Sequence, residues 1–193
     1  TFFLGTLYLE HVQHYSAVAT GAAFLPWTVT VAIVSLGVTT RMVARFGPMR
    51  TLVAGMTLVI AGLVLMTNTN PGTAFFPTIF FAFMLIGLGI GNAFTPLMTI
   101  AMADVPAADA GLGSGITTLS QQVGGALGLA ALSTIATTHT HALAAQHLST
   151  ANALVGGFHL AYTIGAGCVV GAIALALMLL RTRREREDVA VAP

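Results

Sequence analysis

Arg41, Arg45 and Arg50 form one basic block of this 193-residue chain, and Arg181, Arg183, Arg184 and Arg186 form the other. Lysine is absent, and between residues 51 and 180 the only formal charges are Asp104 and Asp109. Arginines facing carboxylates across a narrow mouth can make a latch, because a desolvated guanidinium–carboxylate pair that breaks and re-forms biases a two-state motion. The same residues also read as topology markers that meet lipid phosphates, with Asp109 capping a helix that begins near Leu112.

Histidine is the other group able to carry chemistry. His139, His141 and His147 fall in the stretch 139–157, with His159 just beyond it. Neutral imidazoles bind metals or sense pH, but this stretch has no carboxylate or cysteine to complete a metal site. Its Ala, Gln, Thr and Ser surroundings read as a solvated connection, so no metal is expected. Catalysis needs an acid and a base within hydrogen-bond reach. Here the histidines fall on one side of the long apolar tracts and the carboxylates mostly on the other, so no enzyme is expected. Gly87-Leu88-Gly89-Ile90-Gly91-Asn92 lacks the following lysine of a P-loop, and Asn92 stands where a dinucleotide fingerprint has its last glycine. Nucleotide binding is excluded, and nothing in the charge distribution suggests nucleic acid. The single Cys168 cannot form an intrachain disulfide.

Polar side chains inside the apolar tracts are the remaining candidates. At 100° per residue, Ser114, Thr117, Thr118, Gln121, Gly125 and Gly128 share one stripe of a helix. Leu112, Ile116, Leu119, Val123, Leu127 and Ala130 occupy the opposite side, and Gln122 lies off the stripe's centre. In lipid the small, polar side faces protein or water. Such a stripe lines a substrate path, with Gln121 hydrogen-bonding the cargo beside Thr117 and Ser114. It equally serves as a packing face, with Gly125 and Gly128 letting a neighbour approach. Gly87 and Gly91 make a second close-packing face, and Pro96 kinks its helix where Asn92 or Thr95 satisfies the freed backbone groups. Asn92 and the only tryptophan, Trp27, are further path candidates, with core packing the alternative for Trp27.

These residues need elements to hold them. The chain is 56% hydrophobic and 7% charged, with a mean hydropathy of +0.89, far from the quarter-charged composition of soluble domains. A charge at a bilayer centre costs roughly 2.5–3.5 kcal/mol even on the lenient insertion scale, so long uncharged tracts between charged islands read as spanning helices. After a truncated first helix ending near Leu9, the tracts are 21–40, 51–67, 74–103, 112–136 and 158–180. Breaks fall at Phe46-Gly47-Pro48, at 68–72, at the elbow 104–109 and over 139–157. The expected fold is an all-α integral membrane half bundle of about six transmembrane helices. It comprises two inverted three-helix repeats over 1–180 and a cytoplasmic polar tail over 181–193. Arginine-bearing short loops stay cytoplasmic, and both arginine blocks agree on one orientation with the C-terminus inside. The chain opens in mid-tract, which suggests the C-terminal portion of a longer polypeptide.

Three stretches look familiar: RMVARFGPMR at 41–50, DVPAADAGLGSG at 104–115 and SQQVGGALG at 120–128. They resemble the C-terminal half of the fourteen-helix drug:proton antiporter branch of the major facilitator superfamily, and residues 7–26 fit the same pattern. The resemblance implies export of small amphipathic or cationic organic compounds across the plasma membrane. The proton gradient would be the energy source, with no cofactor. The implied partners are the lipid bilayer, the organic substrate and an N-terminal transporter half holding most coupling carboxylates. It also implies that Arg41, Arg45, Arg50, Asp104 and Asp109 clamp the cytoplasmic mouth. A carrier of another solute class with this fold, or a non-transporting membrane scaffold or regulator, are the alternatives.

Overall fold

The computed structural model describes residues 2–146 and 149–191, with side chains described over 5–146 and 149–178. Every regular element among them is helical. Helix α1 (Phe2–Leu7) runs into a π turn, Tyr8–Val12. Then come α2 (Ala17–Phe46), α3 (Pro48–Met66), α4 (Phe75–Ala101), α5 (Ala110–Ala145) and α6 (Thr150–Val191). Four of these are long and apolar enough to cross a bilayer: α2, α3, α4 and the stretch Thr150–Met178 of α6. Helix α5, at 36 residues, is long enough. It is not one of the four, because its glycines, hydroxyls and glutamines dilute the apolar content.

Most breaks fall where turn chemistry requires them. Between α2 and α3, Gly47 has φ +82°, a left-handed conformation that glycine adopts without a Cβ penalty. Pro48 then opens α3 at a position where its missing N–H is no loss. The buried Thr51 hydroxyl donates back to the Gly47 carbonyl at 2.9 Å, pinning the corner. At the far end of α3, the buried Thr69 hydroxyl donates to the Met66 carbonyl at 2.8 Å.

The core gathers at the end of the bundle away from Gly47. Tyr8, Leu9, Met66, Ile79, Phe83, Ile86, Phe158 and Tyr162 are buried together. Phe24 stacks on Phe83 with ring centroids 4.8 Å apart. Hydrogen bonds close this end: Tyr8 Oη donates to the Asn70 carbonyl at 3.0 Å, and Gln13 Nε2 donates to the Thr73 carbonyl at 2.9 Å. Helices α3 and α4 pack backbone to backbone. A Cβ on Gly55 would stand 2.7 Å from the Gly89 carbonyl oxygen, and one on Gly89 2.6 Å from the Gly55 oxygen. Only glycine at both positions lets the helices meet so closely.

One expected boundary is corrected. The stretch 139–157 is not a long loop: α5 continues to Ala145 and α6 starts at Thr150. Alanine-rich sequence favours helix, and the added turns find a partner, since Leu143 lies over Gly156 and Thr140 over Gly157. His139 and His141 are therefore helical residues, while His147 lies outside the described residues. So do the side chains of Arg181, Arg183, Arg184 and Arg186.

Candidate functional site

Short connections reverse the chain at each turn, so the α2–α3 corner and the elbow after α4 lie at the same end of the bundle. That end carries Arg41, Arg45 and Arg50 together with Asp104 and Asp109, all exposed. Arg41 Nη1 donates to the Gly37 carbonyl at 3.2 Å. The Arg45 guanidinium sits 5.4 Å from the centre of the Phe46 ring, a cation–π distance. Asp109 occupies the N-cap position of α5, with no side-chain cap hydrogen bond. The elbow folds against the start of α5 at Gly113, where a Cβ would meet Val105 Cγ1 at 2.8 Å.

Deeper in the bundle a polar knot ties α2 to α4. Within α2 a π turn, Val34–Val38, leaves room for Thr39, which is fully buried. Its hydroxyl faces three oxygens: the Val34 carbonyl at 2.9 Å, the Gly91 carbonyl at 3.0 Å and Asn92 Oδ1 at 3.3 Å. Ser35 Oγ donates to the same Gly91 carbonyl at 3.3 Å. Asn92 is 5% exposed, and its Nδ2 donates to the Leu88 carbonyl at 2.9 Å. Asn92 is thus committed to holding helices together. Helix α4 runs on through the buried Pro96, whose ring nitrogen cannot donate to the carbonyl four residues back.

The glycine faces divide. Gly87 lies under Trp27, where a Cβ would come within 2.6 Å of Trp27 Cδ1, and Gly91 lies under Val34, with a Cβ at 3.1 Å. Trp27 is half-buried and meets Phe24 edge-on at 6.0 Å, so it packs between α2 and α4. At Gly125 and Gly128, by contrast, nothing lies within 4 Å of a Cβ position, so the close helix approach expected there is not made within this chain. The reason is that α5 packs chiefly on α6 and only along its later half, where Ala136 is buried.

Much of the first half of α5 is exposed. Leu112, Leu119 and Leu127 are each more than 60% exposed, and Ser114 and Thr118 are exposed as well. The hydroxyls are satisfied along their own helix: Ser114 donates to the Gly111 carbonyl at 3.0 Å, Thr117 to Gly113 at 2.8 Å and Thr118 to Ser114 at 2.9 Å. Gln121 differs, because its Nε2 is enclosed and has no hydrogen-bond partner. Among the described residues no group of three or more His, Cys, Asp or Glu could hold a metal ion.

Sequence reading missed the Thr39–Ser35 knot and the Gly55–Gly89 seam. Gly55 and Gly62, seven residues apart on one face of α3, were the available signal for the seam. For the knot there was none, since Thr39 looks like any threonine near a helix end.

Long apolar helices, closely packed through glycines and joined by short turns, define a multi-pass membrane protein. A family model for the Major Facilitator Superfamily matches residues 1–129, and the chain belongs to that superfamily. It is 36% identical over 97% of its length to a puromycin resistance protein of Streptomyces alboniger. Over 77% it is 31% identical to a multidrug resistance protein of Mycobacterium tuberculosis, and over 67% it is 35% identical to a tetracenomycin C resistance and export protein of Streptomyces glaucescens. These relatives bear out the resemblance to drug-export members of the superfamily, and they set the chain among transporters rather than enzymes. The chain spans 38%, 27% and 24% of those relatives' lengths.

Proposed function

We propose that this chain forms part of an exporter that moves small amphipathic or cationic organic compounds out of the cell in exchange for protons. In this reading it sits in the plasma membrane with its arginine end and C-terminus in the cytoplasm. Gln121 carries the site assignment: its Nε2 is enclosed without a hydrogen-bond partner, on a helix where Gly124, Gly125 and Gly128 have nothing within 4 Å of a Cβ position. A polar group held in an apolar setting without a hydrogen bond is unfavourable, and a passing substrate with polar atoms would satisfy it. Thr117 and Ser114 extend that path toward the arginine end. Arg41, Arg45, Arg50, Asp104 and Asp109 act there as the gate, closing the mouth when cargo faces outward. The proton gradient supplies the energy and no cofactor takes part. An N-terminal transporter half, the lipid bilayer and the organic substrate are the partners.

The experiment is efflux by the full-length protein in energised inside-out vesicles, with puromycin and ethidium as test compounds. Accumulation that collapses when the proton gradient is dissipated supports the reading. Accumulation that persists without the gradient rejects the proton coupling, and no accumulation of either compound rejects the export assignment.

A further inference from the structure

Helix α2 changes character at its π turn. Before the turn, the segment Leu25–Ile33 lies close on α4: Gly87 sits under Trp27, and a Cβ on Gly91 would stand 3.2 Å from the Val31 carbonyl oxygen. After the turn, Thr39–Phe46 is a separate helical length of eight residues, and among these described residues only Thr39 is buried. Thr40, Arg41, Ala44, Arg45 and Phe46 are exposed. A pliable point bounds this length at each end. At one end stands the π turn Val34–Val38, with Gly37 inside it. At the other stands Gly47, with φ +82° and nothing within 4 Å of its Cβ position, free to absorb a change of direction.

A π turn holds one residue more than an α turn and is rare in helices. Here Thr39 holds it. Its N–H donates to the Val34 carbonyl, five residues back, where an α-helix would use the Ser35 carbonyl. Its hydroxyl reaches the same Val34 oxygen and, on α4, the Gly91 carbonyl oxygen and Asn92 Oδ1. One residue therefore fixes both the turn and the contact with α4. Return of residues 34–38 to α geometry would rotate everything after them by one position, about 100°. Val38, now 41% exposed, would then take the place of Thr39 against α4. Its branched side chain has nearly the shape of threonine and makes no hydrogen bond. The present register gains the hydrogen bonds of Thr39, and the turned one gains a regular α ladder.

We infer that Thr39–Phe46 is a lever with two registers, latched in the π register by Thr39, and that its turning carries Arg41 and Arg45 to a different face of the arginine end. The lever is a property of the helix and needs neither cargo nor a proton gradient, so it stands or falls apart from the export reading.

The test is the distance between two spin labels in the full-length protein in lipid nanodiscs, read by double electron–electron resonance in a background with no other cysteine. Ala44→Cys puts one label on the lever and Leu175→Cys the other on α6, both at exposed positions. A 100° turn moves a side chain on a helix 10–12 Å across by about 8 Å, so the turned register adds a second distance component. Thr39→Val removes the latch and should raise the ratio of turned to latched populations about fivefold, the weight of one interhelical hydrogen bond in a membrane. Thr39→Ser keeps the hydroxyl and should give the parent distribution. Deleting Gly37 removes the extra residue and leaves the lever facing its present way, so Thr39→Val in that background should add no second component. An unchanged distribution in Thr39→Val overturns the inference, as does a second component that survives deletion of Gly37. A Thr39→Ser distribution matching that of Thr39→Val also overturns it. So does loss of folded protein in Thr39→Val, because a lever released from its latch leaves the rest of the bundle intact.

Discussion

Gln121 and Thr39 are both polar residues in apolar helices, and their partners set them apart. Thr39 reaches three oxygens on two helices and is completely enclosed. Interhelical hydrogen bonds in membranes contribute about 0.6 kcal/mol on average and up to about 1.7. Thr39→Val should therefore lower the stability of the detergent-solubilised full-length protein by about 1 kcal/mol, read as a lower thermal midpoint, while leaving substrate affinity unchanged. Gln121 Nε2 makes no hydrogen bond to another helix of the chain. Gln121→Leu should accordingly leave the midpoint unmoved and lower efflux kcat/KM about tenfold, the effect of one hydrogen bond to cargo. If Gln121→Leu destabilises the protein and spares transport, the glutamine is interhelical glue. Asn92 illustrates the limit of residue type as a guide: its amide looked equally suited to a substrate, but Leu88 and Thr39 occupy it.

Helices were legible from the sequence because lipid imposes a coarse rule on every tract. The charges at Arg41, Arg45 and Arg50 and the Gly47-Pro48 corner located the end of α2, and the elbow 104–109 located the start of α5. Where local polarity and helix propensity disagreed, the reading failed. Residues 137–145 carry threonines and histidines that suggest a loop, but their alanines and the docking of Leu143 on Gly156 keep them helical. Close packing was half legible. Gly87 and Gly91 do meet Trp27 and Val34, whereas Gly55 and Gly89, which bring α3 and α4 together, were not singled out. The seam makes a clear prediction. Gly89→Leu must push two backbones apart and should destabilise by about 3 kcal/mol or more. Gly167→Leu, on α6 with nothing within 4 Å of its Cβ position, should shift stability by no more than about 0.5 kcal/mol. Thermal midpoints of the two variants in the same detergent give the comparison, and equal losses would refute the seam.

At the scale of the whole molecule, four helices suited to a bilayer, a glycine-tied core and, among the described side chains, arginines at one end describe one membrane-embedded body. Helix α5 is its unfinished side. The first half presents exposed leucines on one face, and on the other Gly125 and Gly128 have no atom of this chain within 4 Å of their Cβ positions. A surface that large and that mixed fits both lipid and another part of a transporter. Both the path along Gln121 and the gate at the arginine end depend on which way the bundle sits in the membrane. This chain holds a single cysteine, Cys168, and replacing it with serine, together with any cysteine elsewhere in the full-length protein, gives a clean labelling background. In that background of the full-length protein, Asn70→Cys and Ala108→Cys mark the two exposed ends of the bundle. In intact cells a membrane-impermeant maleimide should label the cysteine at position 70 and reach the one at position 108 only after permeabilisation. Labelling of position 108 from outside, with position 70 protected, would contradict the orientation on which the export reading stands.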